Sequence, residues 1–517
     1  MSKKNMAFVG YEFLRHSLEL HAFGPSRSAR IGPVTRLQVA GNTLAVPRHV
    51  APEDDSPLAH VLFALKHEGT NLQILAEAMP RIPAEDMLAE LNRAPNGGYI
   101  RLACFLWEEF TGQELSPIPQ IGGATHLLFD PERYITGSSV RNAKWRVGFN
   151  GIGSMKYCPT VERTPATVAA IESGILGRTK EFIESLGAEM MDRALSWAYL
   201  HETDSSFAIE KEAPSEDKAR QFVELLKQAH EPRELSEDYL VELQNVTITN
   251  PFDKAASFRY EQNWLSGPGR GAPSVTYLPP PHELARELMT ELMALAGSAP
   301  KAIDPVVAAS IISFGFVFIH PFMDGNGRLS RFLFHYALCQ SGMLEKGLVL
   351  PVSVAMKRHE ADYLAALRAF SRPARAKWEV RWVGEDQFDF TFRGSDAMYR
   401  YWDATPCVEF GYRMAEEALE IELRQETLYL AAYDRITRAV NDKYDVRGSD
   451  LSTLVRSCLE NGNKLSNNRR KQYGTRVRPE VFDLIEREAE AVQAANIGDA
   501  LPEEDGEVDN PPDTTRP

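Results

Sequence analysis

Residues 320–331 read His-Pro-Phe-Met-Asp-Gly-Asn-Gly-Arg-Leu-Ser-Arg, and they decide the fold prediction for this chain. An almost wholly apolar run, 306–319, leads into them, and an amphipathic run, 332–338, follows. This order predicts a buried helix, a tight loop and the start of a second helix. The loop itself brings together a titratable base, a carboxylate and two arginines.

Local signals predict both ends of the apolar helix. Asp304 and Pro305 form a helix-start pair, in which an N-cap side chain precedes a proline at the first helical position. Pro321 disfavours the helical conformation for the residue before it, so the helix should end at His320 and display that side chain. Phe322 is expected to point inward and anchor the loop.

The glycines and arginines that follow predict a phosphate site. Gly325 and Gly327 permit positive φ and leave backbone amides uncovered, just ahead of a helix that should begin near Arg328. Arg328 and Arg331 are three residues apart and share one helix face. Asp324 suits a magnesium ion held by one carboxylate and the phosphates. Each feature alone also fits a cap, a turn or a solvated face, but their combination in so short a stretch favours phosphate binding.

The same residues carry a resemblance to a known family. They match the core motif of the Fic (Fido-fold) family, His-x-Phe-x-Asp/Glu-Gly-Asn-Gly/Lys-Arg-x-x-Arg, at every defined position. The resemblance implies a protein adenylyltransferase that moves AMP from ATP to a hydroxyl side chain of a target protein, including itself. It also implies a mainly α fold over about 205–370, with a Fic helical core and a β-hairpin flap. The sequence outside this range predicts that an N-terminal α+β unit and a helical, helix-turn-helix-like C-terminal unit flank the core.

Residue roles follow from the resemblance position by position. His320 resembles the general base that takes the proton of the target hydroxyl, and Asp324 the ligand of Mg²⁺. Tyr363, in a helical pattern over 357–370, lies where family members place an aromatic near the adenine, although buried helical tyrosines are common. The implied phosphate contacts are Gly325, Asn326 and Gly327 for the α- and β-phosphates, with Asn326 orienting the first, then Arg328 for the β- and Arg331 for the γ-phosphate. The preference for ATP over another nucleotide rests on the resemblance alone.

A hairpin is predicted upstream of this motif. Residues 258–267 and 274–279 look like two short strands around a Gly/Pro turn. They resemble the family's flap, which registers the backbone of the target by strand addition, with Tyr260, Trp264 and Tyr277 as its aromatic residues. An ordinary surface hairpin is the alternative.

A second motif suggests regulation. Residues 205–212 resemble the family's inhibitory sequence, Ser/Thr-x-x-x-Glu-Gly/Asn, with Ser206 and Glu210 in the defined places. Lys211 departs from the Gly/Asn of that motif, which affects the helix-end geometry. Glu210 is expected to pair with Arg331 and take the place of the γ-phosphate. The alternative is an exposed glutamate on an amphipathic helix.

Composition sets the remaining limits. The chain has 517 residues, which predicts about two to four domains. Its net charge of −15 argues against broad affinity for nucleic acid or anionic membranes. The scattered cysteines include no Cys-x-x-Cys pair and fit reduced thiols of a cytosol rather than a zinc site or a disulfide framework: Cys104, Cys158, Cys339, Cys407 and Cys458.

A cytoplasmic protein without a membrane segment is therefore expected. Residues 1–14 lack the apolar core of a signal peptide, and the apolar run 306–319 is too short to span a bilayer. The predicted domains are an N-terminal helical domain at 1–120, a connecting region with helices at 121–199, a Fic catalytic domain at 200–375, a mainly helical domain at 376–498, and a disordered acidic tail at 499–517.

The C-terminal domain contains a local excess of positive charge. Between residues 456 and 478 the acidic Glu460 stands against Arg456, Lys464, Arg469, Arg470, Lys471, Arg476 and Arg478. A helix-turn-helix-like module with a basic face could bind nucleic acid or an acidic partner. A solvated basic loop is the alternative, and no base-reading pattern is recognisable.

Three functions remain open on the sequence. The first is an autoinhibited, magnesium-dependent protein adenylyltransferase. The second is a hydrolase that removes AMP from a protein, with Glu210 positioning water. The third is a nucleotide-sensing regulator whose C-terminal module binds DNA or a protein. The target protein, its modified residue and the oligomeric state are not encoded in any recognisable pattern.

Overall fold

The computed structural model describes residues 8–344, 347–384 and 387–499, with side chains described as far as residue 492. These residues form α-helices with small sheets, which confirms the predicted mainly α fold. The chain divides into two compact units, residues 1–185 with 195–419 and residues 186–194 with 420–517. None of the described helices is long and apolar enough to cross a membrane.

The N-terminal part of the larger unit combines helices with two sheets. Its elements are α1 (Gly10–Ser17), β1 (Ser28–Ile31), β2 (Gln38–Ala40), β3 (Thr43–Val46), α2 (Pro57–His67), α3 (Leu72–Ala78), α4 (Ala84–Arg93), α5 (Gly98–Thr111), β4 (His126–Leu127), β5 (Val140–Asn142) and β6 (Val147–Phe149). β3 lies between β1, parallel to it, and the antiparallel β2; β6 lies likewise between β4 and β5. Leu65, Leu75 and Leu106 belong to the buried cluster between the helices. This is the expected α+β unit.

The chain then becomes almost wholly helical. Its helices are α6 (Pro165–Glu172), α7 (Ile175–Ser185), α8 (Ala188–Ile209), α9 (Glu216–Gln228), α10 (Glu237–Thr247), α11 (His282–Ala302), α12 (Pro305–Ile319), α13 (Asn326–Gln340), α14 (Val352–Arg358), α15 (Glu360–Arg375), α16 (Ala397–Arg400) and α17 (Thr405–Glu417). Two hairpins interrupt them: β7 (Leu265–Ser266) with β8 (Val275–Tyr277), and β9 (Trp378–Gly384) with β10 (Gln387–Phe392).

The apolar helix α12 lies at the centre of the larger unit. Its N-cap Asp304 accepts hydrogen bonds from the amides of Val306 at 2.8 Å and Val307 at 3.2 Å. The helix packs against α11, α13 and α17 and is buried on nearly every side. It ends at Ile319, so both predicted ends are confirmed. The residues that follow it are thereby fixed at the edge of a rigid core.

The predicted flap hairpin is present as β7 and β8, which are antiparallel. The second hairpin, β9–β10, packs against it through a shared apolar cluster that includes Val275, Leu278 and Trp378. The ring of Trp264 lies 5.3 Å from that of Phe390 on this second hairpin. The flap is therefore supported from outside the segment that forms it.

The smaller unit contains α18 (Arg424–Asn441), α19 (Gly448–Glu460), α20 (Asn467–Tyr473) and α21 (Pro479–Asp499), preceded by a π-helical segment, Ala418–Leu423. Ile436, Val455 and Ile485 lie in its apolar cluster. The predicted tail lies outside the described residues apart from Asp499.

Acidic side chains of α21 offset part of the predicted basic patch. Arg470 pairs with Asp483 at 2.9 Å and with Glu486 at 2.8 Å, and Lys464 pairs with Glu490. The net charge of residues 456–478 does not include these acidic partners, because they follow that segment in the chain. Two of its cations are therefore neutralised locally, which weakens the case for nucleic-acid binding there.

Candidate active site

His320 lies at the junction between α12 and the loop, where it adopts a left-handed backbone conformation with φ +53°. Its Nδ1 is 3.1 Å from the carbonyl oxygen of Val317, which can only accept a hydrogen bond, so Nδ1 carries the proton. Burial, together with the nearby charge of Arg259, lowers the pKa of His320 to about 4, although the hydrogen bond to Val317 and the charge of Glu210 act in the opposite direction. The imidazole is therefore neutral near pH 7, and its Nε2 can accept a proton.

Arg259 fixes this junction from the base of the flap. Its Nε donates to the carbonyl of His320 at 2.8 Å, and its backbone amide donates to the carbonyl of Pro321 at 2.8 Å. A third donor, Nη2, reaches the carbonyl of Pro280. The side chain is only 3 % exposed, and burial lowers its pKa to about 10. Arg259 could not be predicted as a site residue from the sequence, because its partners are main-chain carbonyls, which leave no sequence pattern.

Arg259→Met is expected to reduce catalytic turnover by about 10²-fold, the usual effect of misplacing a catalytic group by about 1 Å. Methionine keeps the apolar length but leaves buried carbonyls without donors. Turnover and nucleotide affinity should be measured separately, with exposed Arg220→Met as the control. A folded Arg259→Met protein with the wild-type turnover rate would show that the hydrogen bonds of the Arg259 side chain do not position His320.

The loop between the helices is closed by Asn326. Its Oδ1 accepts from the amide of Phe322 at 3.0 Å, and its Nδ2 donates to the carbonyl of the same residue at 2.8 Å. Both polar groups of the Asn326 side chain therefore hold the loop, and its expected role in orienting the α-phosphate stays a prediction for the second N–H of Nδ2. Asn263 adds hydrogen bonds to the carbonyls of Phe322 and Met323. Phe322 is buried, as predicted.

The two glycines of the loop have different roles. Gly325 has φ +86° and forms the N-cap of α13, whereas Gly327 is already helical, so the positive φ expected of both applies to Gly325 alone. A Cβ on Gly327 would lie 2.1 Å from Oε1 of Glu210. Gly327 belongs to the first turn of α13, where the backbone amides have no intrahelical acceptor. The carboxylate of Glu210 therefore lies at the positive end of the helix dipole.

Asp324 is the acidic residue of the loop. Its Oδ1 accepts from the amide of Gly325 at 2.6 Å, and its Oδ2 lies 3.6 Å from Nη2 of Arg328. The side chain is about half exposed. No cluster of three or more metal-binding side chains occurs within the described ranges. A single accessible carboxylate beside a phosphate site fits Mg²⁺, which keeps several waters and phosphate oxygens as ligands.

Arg331 is buried on α13 and bound by the end of α8. Its Nε donates to the hydroxyl of Ser206 at 2.9 Å, and its Nη2 donates to the carbonyl of Ser206 at 2.6 Å and to Oε1 of Glu210 at 2.9 Å. The pairing of Glu210 with Arg331 is the contact expected from the sequence. Arg328 makes a similar contact that was not expected, with Nη1 2.6 Å from Oε2 of Glu212.

The end of α8 explains how both glutamates reach α13. Lys211 adopts a left-handed conformation, with φ +62°, at the position where the motif has Gly or Asn. The amide of Glu212 then donates to the carbonyl of Phe207 at 3.1 Å and closes the helix end. The motif's helix-end geometry is thus kept in spite of the lysine, and Glu212 turns back towards α13.

A buried polar network seats α8 two turns before Glu210. Glu202 accepts from Nε2 of His335 on α13 at 2.7 Å and from the amide of Ser353 on α14 at 2.7 Å. Both Glu202 and His335 are buried. Residues 202, 206 and 210 share one face of α8. This face holds the helix against α13 along its last turns.

The four aromatic residues expected near the substrate differ in burial: Tyr260 and Trp264 are exposed or partly exposed, whereas Tyr277 and Tyr363 are buried. Tyr260 is 71 % exposed, and Trp264 packs on the second hairpin. Tyr277 is buried and donates to the carbonyl of Phe318, so it supports the flap rather than facing a target. Tyr363 is also buried, beside Arg331, and burial raises its pKa. Both tyrosines lie inside because their helix or strand turns them towards α12.

Residues 234–338 match the family model described as Fic/DOC family. The chain contains a Fic/DOC domain. This chain is 28 % identical over 152 residues to protein adenylyltransferase fic-1 of Caenorhabditis briggsae, an alignment that covers 29 % of this chain and 27 % of the relative. It is 38 % identical over 65 residues to protein adenylyltransferase fic-1 of Caenorhabditis elegans, covering 13 % and 11 %. It thus spans less than a third of either relative.

Among solved structures, a Fic family protein from Desulfovibrio desulfuricans G20 is similar to this chain. The sequence identity is 19 %, the TM-score is 0.39, and the alignment covers 59 % of this chain and 90 % of the other.

Proposed function

We propose that this Fic chain is an autoinhibited protein adenylyltransferase, which transfers AMP from ATP to a hydroxyl side chain of a target protein. The observation that carries the proposal is the pairing of Arg331 with Glu210 at the start of α13, close to a neutral His320. Buried guanidinium groups at a helix N-terminus favour phosphate. A carboxylate of the chain in that place is a competitor for it.

The proposed chemistry is a single displacement at the α-phosphate. Nε2 of His320 takes the proton of the target hydroxyl as its oxygen attacks the α-phosphorus. The bond from that phosphorus to the oxygen bridging towards the β-phosphate breaks, and pyrophosphate leaves with the electron pair. The product is a protein–AMP ester. A neutral imidazole is suited to this role because it is unprotonated at the operating pH.

The remaining residues of the loop and α13 bind the nucleotide in this proposal. The helix-start amides of α13 receive the α- and β-phosphates, Arg328 binds the β-phosphate, and Arg331 binds the γ-phosphate. Asp324 holds Mg²⁺, which when bound neutralises charge on the phosphates. Asn326 keeps the loop in shape for these contacts. Glu210 must leave Arg331 before a γ-phosphate can bind.

The flap is the proposed contact for the target. An extended segment of the target can add as a further strand beside the β7–β8 hairpin, since strand addition uses main-chain hydrogen bonds. Tyr260 and Leu265 are exposed there, at 71 % and 40 %. The support from β9–β10 keeps the flap in place over the site. The target is therefore held by its backbone, with the hydroxyl facing His320.

ATP labelled at either the α- or the γ-phosphate tests the proposed reaction in a lysate. Label from the α-phosphate should remain on protein, and label from the γ-phosphate should be released as pyrophosphate. Protein labelled from the γ-phosphate would instead indicate phosphate transfer. Loss of AMP from previously modified protein, without any gain, would indicate the removal of AMP by the same site.

The pH dependence of transfer should follow the lowered pKa of His320. We expect kcat/KM to stay constant as the pH falls past 6.5, the ordinary histidine value, and to decrease only towards about 4. By linkage, the buried neutral imidazole also stabilises the fold above pH 6.5, and this contribution is lost as the pH falls towards 4. Short pH-jump assays with circular dichroism at each pH separate the two effects. An acid limb near 6.5 would contradict the assignment.

A further inference from the structure

Arg328 is held as closely as Arg331, by a different acid. Its side chain is 1 % exposed, and its Nη1 lies 2.6 Å from Oε2 of Glu212. The guanidinium carbon lies 5.2 Å from the ring centroid of Phe207, so the group is fixed between α8 and α13. Its Nε is buried and has no hydrogen-bond partner within the described parts of the chain. A buried donor without an acceptor points to a ligand.

Glu212 is oriented by more than this ion pair. Its Oε2 also accepts from the hydroxyl of Thr249 at 2.8 Å, in the segment after α10. Its backbone is fixed by the hydrogen bond to Phe207 that closes α8. Glu212 is 32 % exposed, so it can swing into solvent once α8 loosens. Glu212 is therefore a displaceable carboxylate paired with the buried guanidinium of Arg328, as Glu210 is paired with that of Arg331.

We propose that Glu212 is a second inhibitory residue, which blocks Arg328 while Glu210 blocks Arg331. The inference rests on the proposed function, in which Arg328 binds the β-phosphate and Arg331 the γ-phosphate. A β-phosphate on Arg328 must then displace Glu212, and a γ-phosphate on Arg331 must displace Glu210. Oε1 of Glu210 also lies against Gly327, at the helix-start amides assigned to the α- and β-phosphates, so Glu210 hinders AMP and ADP as well. Removal of Glu210 alone leaves the site half closed.

A structural role for Glu212 gives a different result. If the Arg328 pair only seats the end of α8, its loss acts through Glu210, and Glu212→Gln has no effect on affinity once Glu210→Gly has removed that acid. If Glu212 competes with the β-phosphate, Glu212→Gln still raises the affinity for ADP in the Glu210→Gly background. The affinity for ADP in that background therefore distinguishes competition from support, and AMP, which has no β-phosphate, serves as the ligand that should not respond.

Isothermal titration of AMP, ADP and ATP with Mg²⁺ tests the inference on the full chain, in a background that combines His320→Asn, which does not consume ATP, with Glu210→Gly, which removes the other acid. Glu212→Gln keeps the shape and the acceptor for Thr249 but removes the charge, and should raise ADP affinity about tenfold, the effect of one weak charged hydrogen bond. Thr249→Val, which only frees Glu212 to move, should give a smaller rise. Glu216→Gln, at an exposed position four residues further along the chain at the start of α9, should change nothing.

The titration results decide separately on the role of Glu212 and on the proposed function. Unchanged ADP affinity in Glu212→Gln, or a gain for ATP alone or equally for AMP, overturns the inference while leaving the proposed function intact. Failure of every variant to bind any nucleotide overturns both. A thermal melt of each variant identifies one that has lost its fold, and Thr249→Val then carries the test, since it leaves the ion pair intact.

Discussion

AMP transfer should fall by about 10²–10⁴-fold in His320→Ala, the usual loss when a general base is removed. Affinity for ATP should be nearly unchanged, because the His320 ring is bound to the carbonyl of Val317 and pairs with neither arginine of α13. The rate of transfer measured with labelled ATP should therefore fall, while the affinity measured by titration with ATP stays nearly the same. This combination would assign the loss of transfer to the chemical step.

Two further variants make the His320 result specific. The backbone of His320 is left-handed, which alanine adopts with strain and asparagine more readily. His320→Asn should therefore keep the fold and still lose transfer. His282→Ala, at the partly exposed start of α11, is the matched control and should transfer normally. Transfer at the wild-type rate in folded His320→Asn would exclude His320 as the base.

Glu210→Gly should raise AMP transfer by about 10–100-fold, which corresponds to a charged hydrogen bond of about 1.5–3 kcal/mol. The carboxylate lies 2.9 Å from Nη2 of Arg331, and its loss leaves the γ-phosphate contact open. Self-modification should rise with transfer. The measurement is incorporation of α-labelled AMP over time at fixed ATP.

Glycine also weakens a helix, and this effect needs its own control. Asp204→Gly introduces the same change at an exposed site of α8, at a cost of about 1 kcal/mol and without touching Arg331. It should leave transfer at the wild-type level. Glu210→Gln, which keeps the hydrogen bond but not the charge, should give an intermediate rate. Equal activity in Asp204→Gly and Glu210→Gly would attribute activation to helix loosening instead.

The local parts of the site could be predicted from the sequence. The ends of α12 follow from Asp304 and Pro321, which act on their own neighbours. The Fic motif places His320, Arg328 and Arg331 in a fixed order along one loop and helix. These features need no knowledge of distant parts of the chain, and the structure contains them.

The contacts between distant segments could not be predicted in the same way. Arg259 binds main-chain carbonyls, which carry no sequence identity, and Glu212 meets Arg328 across a gap of over a hundred residues. Packing around α12 buries both Tyr363 and Tyr277, which the resemblance to the family did not reveal. The expected place of Tyr363 near the adenine stays a prediction. The acids of α21 show the same limit, since charge in a window does not reveal which partners will fold onto it.

In the proposed function, one site transfers AMP and is controlled by the carboxylate of Glu210. Intact-mass spectrometry of Glu210→Gly and of Glu210→Gly with His320→Asn, each incubated with ATP and Mg²⁺ in a lysate, tests it most directly. The first protein, or a target beside it, should gain the mass of one AMP, and the second should produce no gain. An equal gain in both samples, or no gain in the first, would contradict the claim.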